Sequence, residues 1–228
     1  MTLTYELIRS RRRKTLGIRI RDAQVEVRAP HGVSQSAIDR FVHSRGQWIE
    51  HHLSRQQQQV DQYQVHISQG GRVPLNGDWL QLDWERSARS QICRLPDRLQ
   101  LYLSARIRRE ESAAVRDLLQ QWFTAESEAL LIPRCHELAA ETGLIPSDIQ
   151  IGSWRARWGQ CSSNGAVGLN WRLLQLPPSL QDYVILHELC HLQHMNHGPA
   201  FHALLSRLRP AHIRLRAELA QYTVWLNW

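Results

Sequence analysis

The sequence predicts an α+β protein, with an N-terminal β-rich accessory region over residues 1–105 and a second region over 106–228 that mixes helices with short strands. Three observations predict it. The first hundred residues fall into short alternating runs divided by turn residues, the mark of half-buried strands. From about Ile107 the apolar residues change to helical spacing. Near the end, two short strands flank a Gly/Ser/Asn-rich turn, and a helix that is apolar almost all round follows them.

The elements follow in order. Leu3–Arg9, Thr15–Arg21 and Gln24–Ala29 alternate as strands and close on Arg28-Ala29-Pro30-His31-Gly32. Ser34 is placed to cap a helix running to about Leu53, with Ala37, Phe41, Trp48 and Leu53 among its apolar positions. The glutamines of 56–59 read as a polar linker or helix end. Strands around Trp79–Trp84 and Leu99–Leu103 are set off by turns at Asn76-Gly77 and Pro96-Asp97. Val115, Leu118, Leu119, Trp122, Phe123, Ala129 and Leu130 then define a long helix, which Pro133 should kink or interrupt and Gly143 should end. Strands over Asp148–Trp154 and Ala166–Trp171 surround the turn at 157–165. Pro177-Pro178-Ser179 opens the last clear helix, with Ser179 as N-cap and Asp182 at capping-box spacing.

Composition narrows the classes. With 228 residues, 43% of them hydrophobic, a sizeable core can be buried and wholesale disorder is excluded. No apolar run approaches the roughly 18–20 residues that span a bilayer. The first ten residues lack the apolar stretch of a secretory signal, and Cys93, Cys135, Cys161 and Cys190 form no C-x-x-C pair. A cytoplasmic protein with no membrane partner is expected. The net charge is +7, and Lys14 is the single lysine among 28 basic residues. Arg9, Arg11, Arg12, Arg13 and Lys14 read first as a solvated edge or turn, and only weakly support a phosphate or nucleic-acid partner. Trp154, Trp158 and Trp171 read as core residues of the sheet.

Of twelve histidines, six lie between His187 and His212. The helix after Ser179 carries His187-Glu188-Leu189-Cys190-His191, an H-E-x-x-H pattern. Four-residue spacing on a helix puts both imidazoles on one face, able to share a metal, with Glu188 about 100° round. From there its carboxylate reaches a metal-bound water without ligating the ion. Chance predicts roughly 0.03 such patterns for this composition, so the surroundings must decide. Leu180, Tyr183, Val184, Ile185, Leu186, Leu189 and Leu192 imply burial. A buried glutamate beside two buried histidines is costly unless a metal and its water partner them.

A catalytic zinc takes a third protein ligand and keeps one open position. His194, His197, His202, His212 and Glu218 are the candidates downstream. His194 needs the helix to continue; His197 needs the chain to turn, which Asn196-His197-Gly198-Pro199 suits. Glu218 is the one acidic residue after Glu188. The His187, His191, His197 spacing equals that of the metzincins, but His194 stands at their glycine and no methionine follows Met195, which argues against that group.

Arg157-Trp158-Gly159-x-Cys161-Ser162-Ser163, Leu169-Asn170-Trp171-Arg172-Leu173, Asp182-Tyr183-Val184, the H-E-x-x-H helix and Asn196-His197-Gly198-Pro199-x-Phe201 together resemble the YgjP-like (WLM/SprT-related) zinc metallopeptidase family. The basic run at 9–14, Val25-x-Val27-x-Ala29-Pro30 and Trp48-Ile49 extend the resemblance over almost the whole chain. It implies a zincin-like catalytic domain, with the active-site helix packed under a small mixed sheet. It also implies His187, His191 and His197 as ligands of one Zn²⁺ per chain, Glu188 as the catalytic carboxylate, and a peptide or protein substrate. Gln160 and His202 depart from the family's usual residues, outside the ligand set.

The expected chemistry is hydrolysis of a peptide bond by a metal-activated water, with Glu188 as general base. Arg157, Asn170 and Tyr183 are candidates for contacting the substrate and its developing oxyanion. Ala166–Trp171 is expected, by the same resemblance, to be an edge strand that pairs with an extended peptide. Cys190 reads as a small core residue. Two alternatives compete: a metal-dependent phosphohydrolase acting on nucleotides through its arginines, and a DNA-associated SprT-like protease.

Overall fold

The computed structural model describes residues 4–21 and 24–228, so the Leu3 end of the first expected strand lies outside the described residues. The chain forms two compact units, residues 1–64 and 65–228. The expected change at 105 is the passage from strands to helix inside the second unit.

In the first unit, β1 (Glu6–Ser10), β2 (Gly17–Arg21) and β3 (Gln24–Pro30) form a sheet in the order β1-β3-β2, with β1 parallel and β2 antiparallel to β3. Val25, Val27 and Ala29 alternate onto one face and pack with Ile38, Val42 and Ile49. The expected single helix is two: α1 (Gln35–Ser44), capped by the Ser34 side chain on the Ala37 amide, and α2 (Gly46–Tyr63). The break falls at Arg45, whose amide folds back on the Val42 carbonyl at 3.0 Å. Ile49 is the buried residue of that turn, and Trp48, read as an apolar-face position, is 43% exposed. Arg9 spends its guanidinium on the His31 and Val33 carbonyls, a structural use of the basic run.

The second unit opens with a hairpin, β4 (Arg72–Leu75) and β5 (Asp78–Ser87). Asn76 and Gly77 both take positive φ, 53° and 91°, as a two-residue turn requires. β6 (Gln91–Arg94) and β7 (Arg98–Ser104) complete a sheet in the order β4-β5-β7-β6. Leu99, Leu101 and Leu103 put its inner face in the core.

α3 (Glu111–Thr142) runs unbroken through Pro133, so of the expected kink or interruption the interruption does not occur. The amide missing at Pro133 orphans the Ala129 carbonyl, and Ala129 is exposed, so water can serve it. Ala129 and Leu130 therefore lie on the wet face, while Ser127 and Leu131 are buried. Gly143, with φ 74°, ends the helix as expected.

β8 (Asp148–Gly152), β9 (Gly159–Cys161) and β10 (Ala166–Asn170) make the small mixed sheet that bears on the site, in the order β8-β10-β9. β10 is therefore central, parallel to β8 and antiparallel to β9, and the expected edge strand is instead the middle one. The Trp154 ring lies against Gly152 and Gly168 of adjacent strands, where an added Cβ would meet it at 2.3 and 2.8 Å. A 3-10 turn over Trp171–Gln175 leads to α4 (Pro178–Cys190). α4 starts one residue before the expected cap, because Pro178 has the helical φ built in at the first position. Ser179 therefore caps nothing, and Asp182 makes a bidentate pair with Arg134 of α3 at 2.9 Å for each contact. The hairpin tip holds this region too: Asn76 and Gly77 donate to the Leu174 and Gln175 carbonyls, and Gln181 donates to Asn76 Oδ1 at 2.9 Å. α5 (Pro199–Leu208) and α6 (His212–Leu219) follow. The architecture is mixed α+β, and no helix among the described residues is long and apolar enough to cross a membrane.

Candidate metal centre

The site starts from how α4 ends. Its helix is buried on nearly every face, including Glu188 at 7% exposure, so His187 and Glu188 are fixed by packing as much as by the backbone. The α-helix stops at Cys190, and the His191 amide donates to the Glu188 carbonyl, three residues back, at 3.1 Å. The chain then turns through 191–198, and α5 begins at Pro199. That turn brings His197 back onto His187, with the two Nε2 atoms 3.0 Å apart.

His187, His191 and His197 form a group whose ligand atoms all lie within 4.8 Å of one another. Two imidazole nitrogens on one tetrahedral ion, each at 2.0–2.1 Å, stand about 3.3 Å apart, so the observed spacing fits a shared metal. His191 donates from Nδ1 to the His194 carbonyl at 3.0 Å, which leaves Nε2 as the nitrogen that could hold a metal. His194 thus supports a candidate ligand through its backbone. Among the described residues His202, His212 and Glu218 are not in the group. Phe201 on α5, fully buried, has its ring centroid 4.6–5.0 Å from all three imidazoles and forms the wall behind them.

The electrostatics suit a cation. Burial holds His187 down to about 3, and the neighbouring His191 and His197 and the Arg216 charge act in the same direction. His197 is lowered by burial and by His191 and His202. Both rings are therefore neutral at pH 7, as ligation demands. Glu188 is pushed up to about 7 by burial, against the pull of Arg157. A buried carboxyl and a buried imidazole, each held away from its charged form, gain from a cation between them. The His187 Nδ1 is also buried without a hydrogen-bond partner.

These residues floor a cleft of about 480 Å³ that Arg157, Trp158, Gly159, Gln160, Cys161, Tyr183 and Met195 also line. Gly159 lies so close to Glu188 that an added Cβ would meet its side chain at 2.8–3.1 Å. Arg157 donates to Gln160 Oε1 at 3.1 Å, and Tyr183 is nearly buried, its hydroxyl raised by burial. Asn170, expected to touch substrate, is wholly engaged inside the protein. Its Nδ2 donates to the Trp154 and Arg157 carbonyls at 2.7 and 2.9 Å, and its Oδ1 accepts from the Arg172 amide. It shapes the loop that carries Arg157.

β9 is the strand on the cleft. Trp158 accepts from the Asn170 amide, so Gln160 points its backbone groups at β10, while those of Gly159 and Cys161 face the open edge. The sequence motifs contained Gly159 and Phe201, but only packing shows that one makes room for Glu188 and the other backs the imidazoles. Met195 carried no signal of its own.

Comparison with known proteins adds an independent finding. The family described as YgjP-like, metallopeptidase domain, matches over residues 14–222. The metallopeptidase zymogen abylysin of Pyrococcus abyssi, a solved structure, is 18% identical, with a TM-score of 0.34 over 40% of this chain and 96% of its own. No match was found among curated proteins.

Proposed function

Because this chain belongs to the YgjP-like metallopeptidase family, we propose that it is a zinc peptidase that cleaves peptide bonds at the His187, His191, His197 cluster with Glu188 as general base. The observation that carries this reading is the meeting of three imidazoles, their ligand atoms within 4.8 Å, with a buried carboxyl held near neutrality in the same cleft. An all-nitrogen set of three histidines suits zinc and leaves a fourth position open. We read the fold as zincin-like, with α4 packed against β9 and β10. One ion per chain follows from one such group among the described residues.

A metal bound there would supply Lewis-acid polarisation of the scissile carbonyl and of a water. The chain's own residues supply the rest. Glu188 accepts a proton from the attacking water and passes it to the leaving amine, and a carboxyl poised near neutrality can do both. Gly159 keeps that carboxylate in place by having no side chain. Arg157 and Tyr183, on the cleft wall, are placed to contact the substrate and its developing oxyanion. The open edge of β9 offers the Gly159 and Cys161 backbone groups to an extended peptide. All four thiols are free, in keeping with a reducing compartment such as the cytoplasm.

The test is Glu188→Gln. Cleavage of a mixed peptide library by zinc-loaded protein should fall at least about 10³-fold, with zinc still bound. Undiminished cleavage would overturn the role of Glu188.

A further inference from the structure

The cleft continues past the three histidines. A second cavity of about 760 Å³ lies between α4, α5 and α6 and shares Tyr183, His187 and His197 with the cleft. Phe201 and Leu205, both buried, give it apolar walls. A peptide laid across the metal cluster would enter it directly, and its size is that of a built ligand pocket.

Its charge is one-sided. Arg216 of α6 is the one Arg or Lys lining it, and no Asp or Glu lines it. Arg216 is exposed to solvent at the cavity it lines, and among the described residues no ion pair neutralises it. The other basic groups on the wall are imidazoles. His212, the buried first residue of α6, also lines the cavity. A cavity with Phe201 and Leu205 in its wall and a solvent-exposed guanidinium at its edge, with no carboxylate beside it, fits an apolar-bodied group that ends in an anion.

We propose that this cavity is a substrate subsite for a carboxylate-bearing residue next to the scissile bond, with Arg216 as the group that holds the carboxylate. Two sources share that chemistry: the α-carboxylate at the end of a peptide and the side chain of Asp or Glu. The first makes the enzyme trim chain ends, and the second makes it cut within acidic sequences. The proposal rests on the peptidase reading and narrows it.

The experiment uses zinc-loaded full-length Glu188→Gln, which binds without turnover, and fluorescein-labelled alanine-based hexapeptides. Four peptides pair a single Glu with Gln, and a free C-terminus with a C-terminal amide; anisotropy gives each Kd. One carboxylate form should bind about tenfold or more tighter than its amide twin, and the twin that responds identifies the source. Adding Arg216→Gln should bring that ratio below about two, and Arg216→Glu should turn it in favour of a lysine peptide. Equal Kd values within both pairs, or a preference that survives Arg216→Gln, overturns the subsite. If no peptide binds and zinc-loaded wild type cleaves none of a random library, the peptidase reading itself fails, and the subsite with it.

Discussion

Replacing Gly159 with alanine should take away turnover and leave the metal in place. An added Cβ would stand 2.8 Å from Cγ of Glu188, 2.9 Å from Oε1 and 3.1 Å from Cδ. Carbon atoms settle at about 3.5–4.0 Å, so roughly 0.7 Å of movement is needed. Gly159 is paired with Leu169 of the central strand, which resists that movement from one side. Glu188, 7% exposed and packed on its other sides, can give only toward the cleft, so its carboxylate is displaced. A displacement approaching 1 Å at a reacting group costs on the order of 10²-fold in rate. The crowding should also cost about 1–3 kcal/mol of stability. The assay is kcat and KM on a quenched peptide, with zinc content and Tm measured on the same preparation. The expected pattern is kcat down about 10²-fold, KM little changed and zinc retained. A kcat within threefold of wild type would refute the account of Gly159. Loss of zinc alongside activity would move Gly159's role from the base to the ligands.

Other expectations concern the same groups. In metal-free protein the Glu188 carboxyl is raised from 4.5 to about 7, so folding favours its protonated form. The penalty is absent below pH 4.5, grows up to about 7 and is complete above it. Glu188→Gln should therefore stabilise the metal-free protein at pH 8 by up to about 3 kcal/mol, and not at pH 4; urea titrations at both values test this. His187 behaves in the opposite sense: depressed to about 3, it makes the metal-free protein lose stability as pH falls from 6.5 towards 3, and His187→Asn should flatten that limb. Phe201→Leu should weaken zinc binding about 10–100-fold by loosening the wall behind the imidazoles, measured by chelator competition. Cys161→Pro removes an edge-facing amide, so KM for long peptides should rise about three- to tenfold while Cys161→Ala leaves it unchanged. Equal KM values in both variants would remove β9 as the docking edge.

The grouping that makes up the candidate site is legible in local sequence, because its geometry is local. The spacing of four in His187 and His191, the apolar surroundings and the Asn196-His197-Gly198-Pro199 turn all act within a dozen residues. The third position stayed open among five residues, since choosing His197 depends on the helix stopping at Cys190. Nothing in the spacing fixes that stop. Features set by distant partners were the ones misread. Ala166–Trp171 alternates like any strand, but its central place depends on β8 and β9 pairing on either side. Asp182 sits at capping-box spacing, yet Arg134, 48 residues earlier, takes its carboxylate. Asn170 is a polar residue near the motif, and only the fold shows it engaged with the Trp154 and Arg157 carbonyls. The single helix expected after Ser34 divides at Arg45, because Ile49 rather than Trp48 meets the sheet. Pro133 passes through α3 because its turn faces water.

On the proposed reading His187, His191 and His197, and no other histidine, hold one zinc ion. Elemental analysis of wild type beside His197→Ala, His194→Ala, His202→Ala and Glu218→Ala tests it most directly. About one zinc per chain is expected, lost in His197→Ala and kept in the other three. Zinc retained in His197→Ala and lost in one of the others would contradict it, as would a wild-type protein that takes up no zinc on reconstitution.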